Sequence, residues 1–112
     1  MKQSNEFLFE SSLPWEDLGN GLRRQIYGYD DKIMMVKVDF TKGAIGTLHH
    51  HPHTQSTYVV SGSFEVTIDE KKMVLKKGDG FLAPPNAIHG VVCLEAGILL
   101  DVFSPVREDF LK

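Results

Sequence analysis

The stretch from Gly43 to Gly62 reads GAIGTLHHHPHTQSTYVVSG and contains four of the five histidines of the chain. One residue separates His49 from His51, and residues two apart on a strand point to the same face. Since imidazole is the commonest metal-binding side chain, extended backbone over residues 45–50 would make them a pair of nitrogen donors. The fifth histidine, His89, arriving from another strand, would complete a three-nitrogen site with an open position, which is typical of a catalytic metal.

The composition indicates a single ordered domain. The chain has 112 residues, of which 42% are hydrophobic, and this suits one domain over residues 1–112. The formal net charge is −3 with no basic stripe, so we expect no nucleic-acid partner. No apolar run approaches the ~20 residues that span a bilayer, so we expect no membrane association. Because Cys93 is the only cysteine and the N-terminus lacks the apolar run of a signal peptide, we expect a cytoplasmic location.

Short strand-like segments separated by turn signals are found along most of the chain. The dipeptide Ser61-Gly62 predicts a tight hairpin between strands at Thr57–Val60 and Ser63–Ile68. A short helical turn is expected near Trp15–Leu18. The other expected strands are Ile33–Phe40, Met73–Leu75, Phe81–Ala83, Ile88–Leu94 and Ile98–Phe103. Many short strands at this spacing predict an all-β sandwich or barrel without a second domain.

The histidine-rich stretch resembles the first motif of the cupin superfamily. Its elements are Gly43, five residues, His49-x-His51, three residues, Gln55, six residues and Gly62, with no gap in the spacing. Gln55 stands where the motif usually has a glutamate.

A second cupin motif begins at Gly78 and continues through Pro84 to His89 at the expected offset. Two positions depart from it, since Asn86 replaces the internal glycine of the motif and Cys93 replaces its closing asparagine. Asparagine tolerates left-handed backbone better than most residues with a side chain, so the first departure is a mild one. Together the two motifs cover residues 43–93.

The cupin resemblance implies an all-β, single-domain cupin fold, a double-stranded β-helix or jelly-roll barrel, that holds one divalent transition metal ion. Zn, Ni, Co, Mn and Fe all suit such a site. Three imidazoles and an amide oxygen are uncharged, so the ion would keep its full charge and act as a strong, non-redox Lewis acid. The implied ligands are His49, His51, Gln55 and His89. Gln55 could instead hydrogen-bond to a ligand without binding the metal itself, and His50 and His53 are expected to have structural or substrate-contact roles.

A closer resemblance joins three stretches, Trp15–Gly19, Leu48–Gln55 and Asp101–Phe110. Together they are similar to a family of small single-domain cupins that act in pectin degradation. Membership would imply a metal-dependent, isomerase-type enzyme whose substrate is a small molecule. It would convert 4,5-unsaturated uronate monosaccharides, released from pectin or alginate, into linear 5-keto-4-deoxyuronate.

The same resemblance implies catalytic roles for three residues of the C-terminal segment. Asp101 would act as general base and then as general acid, Arg107 would hold the carboxylate of the uronate, and Phe103 would pack against the sugar. Two alternatives stay open from the residues alone. Asp101 could be satisfied by backbone or by a nearby arginine, and Arg107 could be an ion-pair partner of Glu108 or Asp109.

Two other functions and one assembly state follow from the same sequence. A cupin dioxygenase would use the histidines with iron or copper and O₂, and a sugar-binding cupin would bind uronates without turnover. The segment Phe7–Leu18 carries apolar residues that could cover a barrel edge in the same chain or in a partner. We therefore expect a homodimer.

Overall fold

The computed structural model describes residues 2–112, which form eight antiparallel β-strands and one short 3₁₀ helix (Glu108–Leu111). The main sheet has the strand order β1-β2-β3-β8-β5-β6, while β4 pairs with β8 and β7 pairs with β5. The all-β architecture predicted from the sequence is therefore confirmed. The strands are β1 (Glu16–Gly19), β2 (Leu22–Tyr29), β3 (Met34–Phe40), β4 (Ile45–His49), β5 (Thr54–Ile68), β6 (Lys71–Lys76), β7 (Gly80–Ala83) and β8 (His89–Ser104).

Two long strands, β5 and β8, form the spine of the barrel. They pair from Thr54 opposite Ser104 to Ile68 opposite His89. Along its length β5 also pairs with β7 and then with β6, and β8 pairs with β4 and then with β3. Because each long strand has a different second neighbour at each end, the sheet rolls up and encloses an interior.

The hairpin expected at Ser61-Gly62 is wrong, because β5 runs straight through it. Gly62 has a φ of +79°, and a Cβ there would lie 2.5 Å from the carbonyl oxygen of Glu95. The register of β5 against β8 shifts on both sides of Ser61, as expected of β-bulges. The runs expected as two strands at 88–94 and 98–103 are likewise one strand, β8.

The expectation for the Trp15–Leu18 segment is also wrong. Glu16–Gly19 is strand β1, which pairs with β2 through a turn in which Gly19, Asn20 and Gly21 all have positive φ. Strand β2 was not among the expected strands. Its sequence is LRRQIYGY, and the two adjacent arginines interrupt the alternation of apolar and polar residues that usually indicates a strand.

The hydrophobic core follows the period-two alternation of the strands. On β3 the inward row is Met34, Val36, Val38 and Phe40, all buried. The Phe40 ring packs edge to face on Phe64 of β5 with centroids 5.1 Å apart. Val36, Val38 and Phe40 also line a cavity of about 260 Å³, so the cavity continues the core where side chains stop filling the barrel.

The N-terminal segment is attached to the outside of β2. The side-chain amide of the fully buried Gln25 donates to the backbone carbonyls of Glu10 and Leu13, at 3.0 and 3.2 Å. Phe7 and Phe9 of this segment remain largely exposed, and the homodimer stays a prediction. Within residues 2–112 we find no helix with the length and apolar character needed to cross a membrane.

Candidate metal centre and active-site cavity

Three histidines come together beside the cavity, two of them on strands and one on the segment between β4 and β5. His49 ends β4 and lies opposite His89, the first residue of β8, while His51 follows β4 by two residues. One ring nitrogen of each lies within 4.8 Å of the others. His51 and His89 are buried and His49 is exposed, so the cluster forms one wall that solvent can reach.

The backbone sets the tautomer of all three rings. Each Nδ1 lies within 3.1 Å of a backbone carbonyl oxygen two residues away. Because a carbonyl can only accept, each Nδ1 carries a proton, which leaves Nε2 as the nitrogen whose lone pair can bind a metal ion. The acceptors are Thr47 for His49, His53 for His51 and Ala87 for His89.

Gln55 turns its oxygen toward these nitrogens. Its Oε1 lies 3.0 Å from Nε2 of His51 and 3.1 Å from Nε2 of His89. Its amide nitrogen points the other way and donates to Thr57 Oγ1 at 2.9 Å and Asp101 Oδ1 at 3.3 Å. Lone pairs therefore face lone pairs at hydrogen-bond distance with no proton between them. A cation at their centre relieves that repulsion, so this donor set fits a divalent metal ion.

The protonation of the buried imidazoles agrees with this fit. Burial lowers the pKa of His51 and of His89 below the ordinary value, and nearby positive groups lower it further. Both rings are therefore neutral at neutral pH, the form that binds a metal. His50 is exposed and His53 contributes its carbonyl to His51, so neither ring joins the nitrogen cluster.

Asp101 lies on the cavity wall next to this cluster. It faces Thr57 across the β5–β8 pairing, and Thr57 Oγ1 donates to its Oδ1 at 2.7 Å. Burial raises the pKa of Asp101 from 3.8 to about 6, against the opposing effects of the hydrogen bonds from Thr57 and Gln55 and the charge of Arg107. Both hydrogen bonds reach Oδ1, which leaves Oδ2 as the oxygen open to a substrate proton.

Arg107 and Phe103 line the same cavity. Arg107 donates through Nε and Nη2 to the two carboxylate oxygens of Asp109, at 3.0 and 2.8 Å, so the ion pair that the sequence left open is present. The outer edge of the guanidinium remains for a ligand. Phe103 is buried, and its ring packs edge to face against His51 and Phe110, each with centroids 5.7 Å apart.

Two cavity residues, Arg24 and Phe110, and one hydrogen-bond partner of Asp101, Thr57, were missed by the sequence reasoning. Thr57 could have been found, because it shares the inward row of β5 with Gln55. Arg24 lies on the inward row of the unexpected strand β2. Phe110 reaches the cavity from the 3₁₀ helix, which no periodicity indicates.

The comparisons with known proteins agree with this geometry. Residues 36–103 match the Cupin domain family. The chain is 51% identical over 107 residues to the pectin degradation protein KdgF of Dickeya dadantii (strain 3937), covering 94% of this chain and 97% of that protein.

Two solved structures are similar over nearly their whole length. An RmlC-like cupin from Shewanella frigidimarina NCIMB 400 is 49% identical with a TM-score of 0.96, covering 98% of this chain and 99% of that one. KdgF from Halomonas sp. is 39% identical with a TM-score of 0.91, covering 96% and 99%. The chain therefore belongs to the cupin family and, within it, to the group of single-domain cupins that includes KdgF.

Proposed function

We propose that this protein is an enzyme of pectin degradation that opens 4,5-unsaturated uronate monosaccharides to linear 5-keto-4-deoxyuronate. One observation carries the chemistry. Asp101 is a partly buried carboxylate with a pKa of about 6, and it accepts a hydrogen bond from Gln55, whose oxygen faces His51 and His89. The similarity to KdgF supports the substrate class.

The reaction is an isomerisation, so it needs no oxidant or reductant. A base takes the proton of the anomeric hydroxyl, the bond between the anomeric carbon and the ring oxygen breaks, and an aldehyde and an enolate result. The enolate then takes that proton back at C4, and its oxygen becomes the 5-keto group. A divalent ion held by the implied ligand set would act as a Lewis acid toward the developing negative charge on oxygen.

Asp101 is the residue that would move the proton. With a pKa of about 6 it is mostly ionised at neutral pH, and yet it is basic enough to accept the hydroxyl proton and return it to carbon. Thr57 and Gln55 fix Oδ1, so the carboxylate has one orientation and offers Oδ2. Arg107 would hold the uronate carboxylate with its free edge, and Phe103 would pack against the sugar.

The test follows the absorbance of the conjugated enol of a 4,5-unsaturated galacturonate. Rates are compared without protein, with the protein as purified, after chelation and after re-addition of metal. We expect acceleration above the spontaneous rate, lost on chelation and restored by metal. No acceleration by metal-loaded protein would contradict the proposal, and O₂ consumption in the same assay would favour a dioxygenase instead.

A further inference from the structure

An arginine occupies an interior position on β2. The inward row of this strand is Leu22, Arg24 and Ile26, in which Leu22 and Ile26 pack against the core. Arg24 lines the cavity and its side chain is only 15% exposed. A charged group at such a position costs free energy unless it is paired, so its presence calls for a partner.

Arg24 and Arg107 share one aromatic ring. The guanidinium carbon of Arg24 lies 3.8 Å from the centroid of Phe110, and that of Arg107 lies 4.2 Å from it. Contact with the ring restrains both cations, each within about 4 Å of the same centroid. Apart from the histidines, the charged side chains that line the cavity are these two arginines and Asp101. Two cations and one carboxylate therefore line the cavity, which suits an anionic ligand.

The two arginines differ in how firmly they are paired. Arg107 forms two short hydrogen bonds with Asp109, at 2.8 and 3.0 Å. Both contacts from Arg24 to Glu16 are 3.4 Å long, at the outer limit for hydrogen bonds. Glu16 lies on the exposed strand β1, where water can solvate its carboxylate in place of the arginine. Less free energy is therefore needed to replace Glu16 at Arg24 by another carboxylate than to replace Asp109 at Arg107.

We propose that Arg24 binds the carboxylate of the sugar acid together with Arg107, and that the substrate displaces Glu16 from its guanidinium. This inference rests on the proposed uronate function and adds a second cationic contact to it. A planar carboxylate has enough lone pairs to accept hydrogen bonds from both guanidinium groups.

Steady-state kinetics of four variants test the assignment. Arg24→Met is expected to raise KM by about ten- to a hundredfold with little change in kcat, because a charged hydrogen bond that acts in ground and transition states alike is lost. Arg24→Lys keeps the charge without the planar fork and should have an intermediate KM. Glu16→Gln should lower KM by up to about fivefold, because it weakens a competitor of the substrate.

Arg23→Met is the matched control. Arg23 is the adjacent residue on β2, but it faces outward, where it pairs with Asp39 at 2.9 Å and lies over Trp15. Its loss should leave KM within about twofold of the wild type, since its guanidinium does not line the cavity.

The signs of the changes separate substrate binding from a structural ion pair. A purely structural pair predicts that Arg24→Met and Glu16→Gln change KM in the same direction, and this result would overturn the proposal. A wild-type KM in Arg24→Met would overturn it as well. If Arg24→Met does not fold, Arg24→Lys and Glu16→Gln still give the two opposite signs. Inactive wild-type protein would contradict the proposed function itself, whereas an active wild type with these failures contradicts only the role of Arg24.

Discussion

The hydroxyl of Thr57 donates a 2.7 Å hydrogen bond to Oδ1 of Asp101, directly across the β5–β8 pairing. The same hydroxyl accepts a hydrogen bond from the amide of Gln55 at 2.9 Å. Gln55 in turn presents its oxygen to His51 and His89. A continuous chain of contacts therefore joins the carboxylate that would move the proton to the donor atoms that fit a metal ion.

Replacing Asp101 by asparagine should remove most of the activity and leave the metal site intact. The amide of the variant could still accept from Thr57 and fill the same volume, but it cannot take up a proton. The expected loss in kcat is about 10²- to 10⁴-fold. Asp39→Asn, which changes an acid on β3 that does not line the cavity, is the control. Normal turnover by Asp101→Asn at full metal content would show that another group moves the proton.

Replacing Thr57 by valine should shift the pH profile. The hydrogen bond from Thr57 opposes the rise in the pKa of Asp101, so its loss should raise that pKa further. Since the carboxylate must be ionised to act as a base, the acidic limb of kcat/KM should move to higher pH. Thr57→Ser keeps the hydroxyl and should retain the wild-type profile. An unchanged acidic limb in Thr57→Val would refute the role of this hydrogen bond.

Asp101 should make the metal-free protein less stable at neutral pH than in acid. Its pKa in the folded state, about 6, lies above the ordinary value of 3.8, so the folded protein binds the proton more tightly. The contribution of Asp101 to the free energy of unfolding should fall as the pH rises from 3.8 to about 6 and then level off. At about 1.4 kcal/mol per tenfold change in proton affinity, the difference amounts to at most about 3 kcal/mol.

Urea unfolding of chelated wild type and chelated Asp101→Asn at a series of pH values measures this effect. The variant lacks the titrating group, so it should be the more stable protein at pH 7 and lose that advantage in acid. Equal stability of the two proteins across the whole pH range would mean that the carboxylate is solvated in the folded state.

Replacing a histidine should abolish metal binding when that histidine is a predicted ligand, and should leave it unchanged when it is not. His89→Ala loses a buried donor, and we expect its metal content to fall from one ion per chain to near none. The matched control is His50→Ala, whose ring is exposed and outside the nitrogen cluster. Elemental analysis measures the content, and thermal unfolding provides a second readout. Metal at a thousand times its Kd would add about 4 kcal/mol to wild type and to the control. Equal metal loss in both variants would contradict the ligand assignment.

Gly62→Ala should destabilise the fold more than Gly78→Ala. Both glycines have positive φ, so both substitutions incur the left-handed backbone cost of about 1–2 kcal/mol. At Gly62 the new Cβ would also lie 2.5 Å from the Glu95 oxygen, whereas at Gly78 no atom lies within 4 Å. The difference in unfolding free energy between the two variants isolates the packing contribution. Equal losses would mean that β8 can move away from the bulge.

The metal-binding pattern was readable from the sequence because it depends on local geometry. His49 ends β4 and His51 follows two residues later, so the short spacing alone keeps their rings close, and the spacing to Gln55 places the amide on the next strand. The contribution of His89 needs the pairing of β4 with β8, which no local signal encodes. The motif resemblance supplied that link.

The strand boundaries were harder to read, because a turn and a bulge use the same residues. Ser61-Gly62 has the composition of a hairpin turn, yet β8 continues alongside it and keeps the chain extended. Whether a glycine reverses the chain or only bends it depends on a partner strand about 30 residues away in the sequence. The outcome is therefore a property of the sheet and not of the dipeptide.

By itself the sequence determined the all-β alternation, the histidine-rich motif and the presence of an aspartate within an apolar strand, since these depend only on residue type and period. Only the tertiary structure decided which of the adjacent Arg23 and Arg24 faces the cavity, because a shift of one residue in register exchanges the two faces of a strand. It also brought Phe110 of the 3₁₀ helix onto Arg24 of β2. Such a contact between distant segments forms only when the barrel closes, because the pairing of strands sets the distance between them.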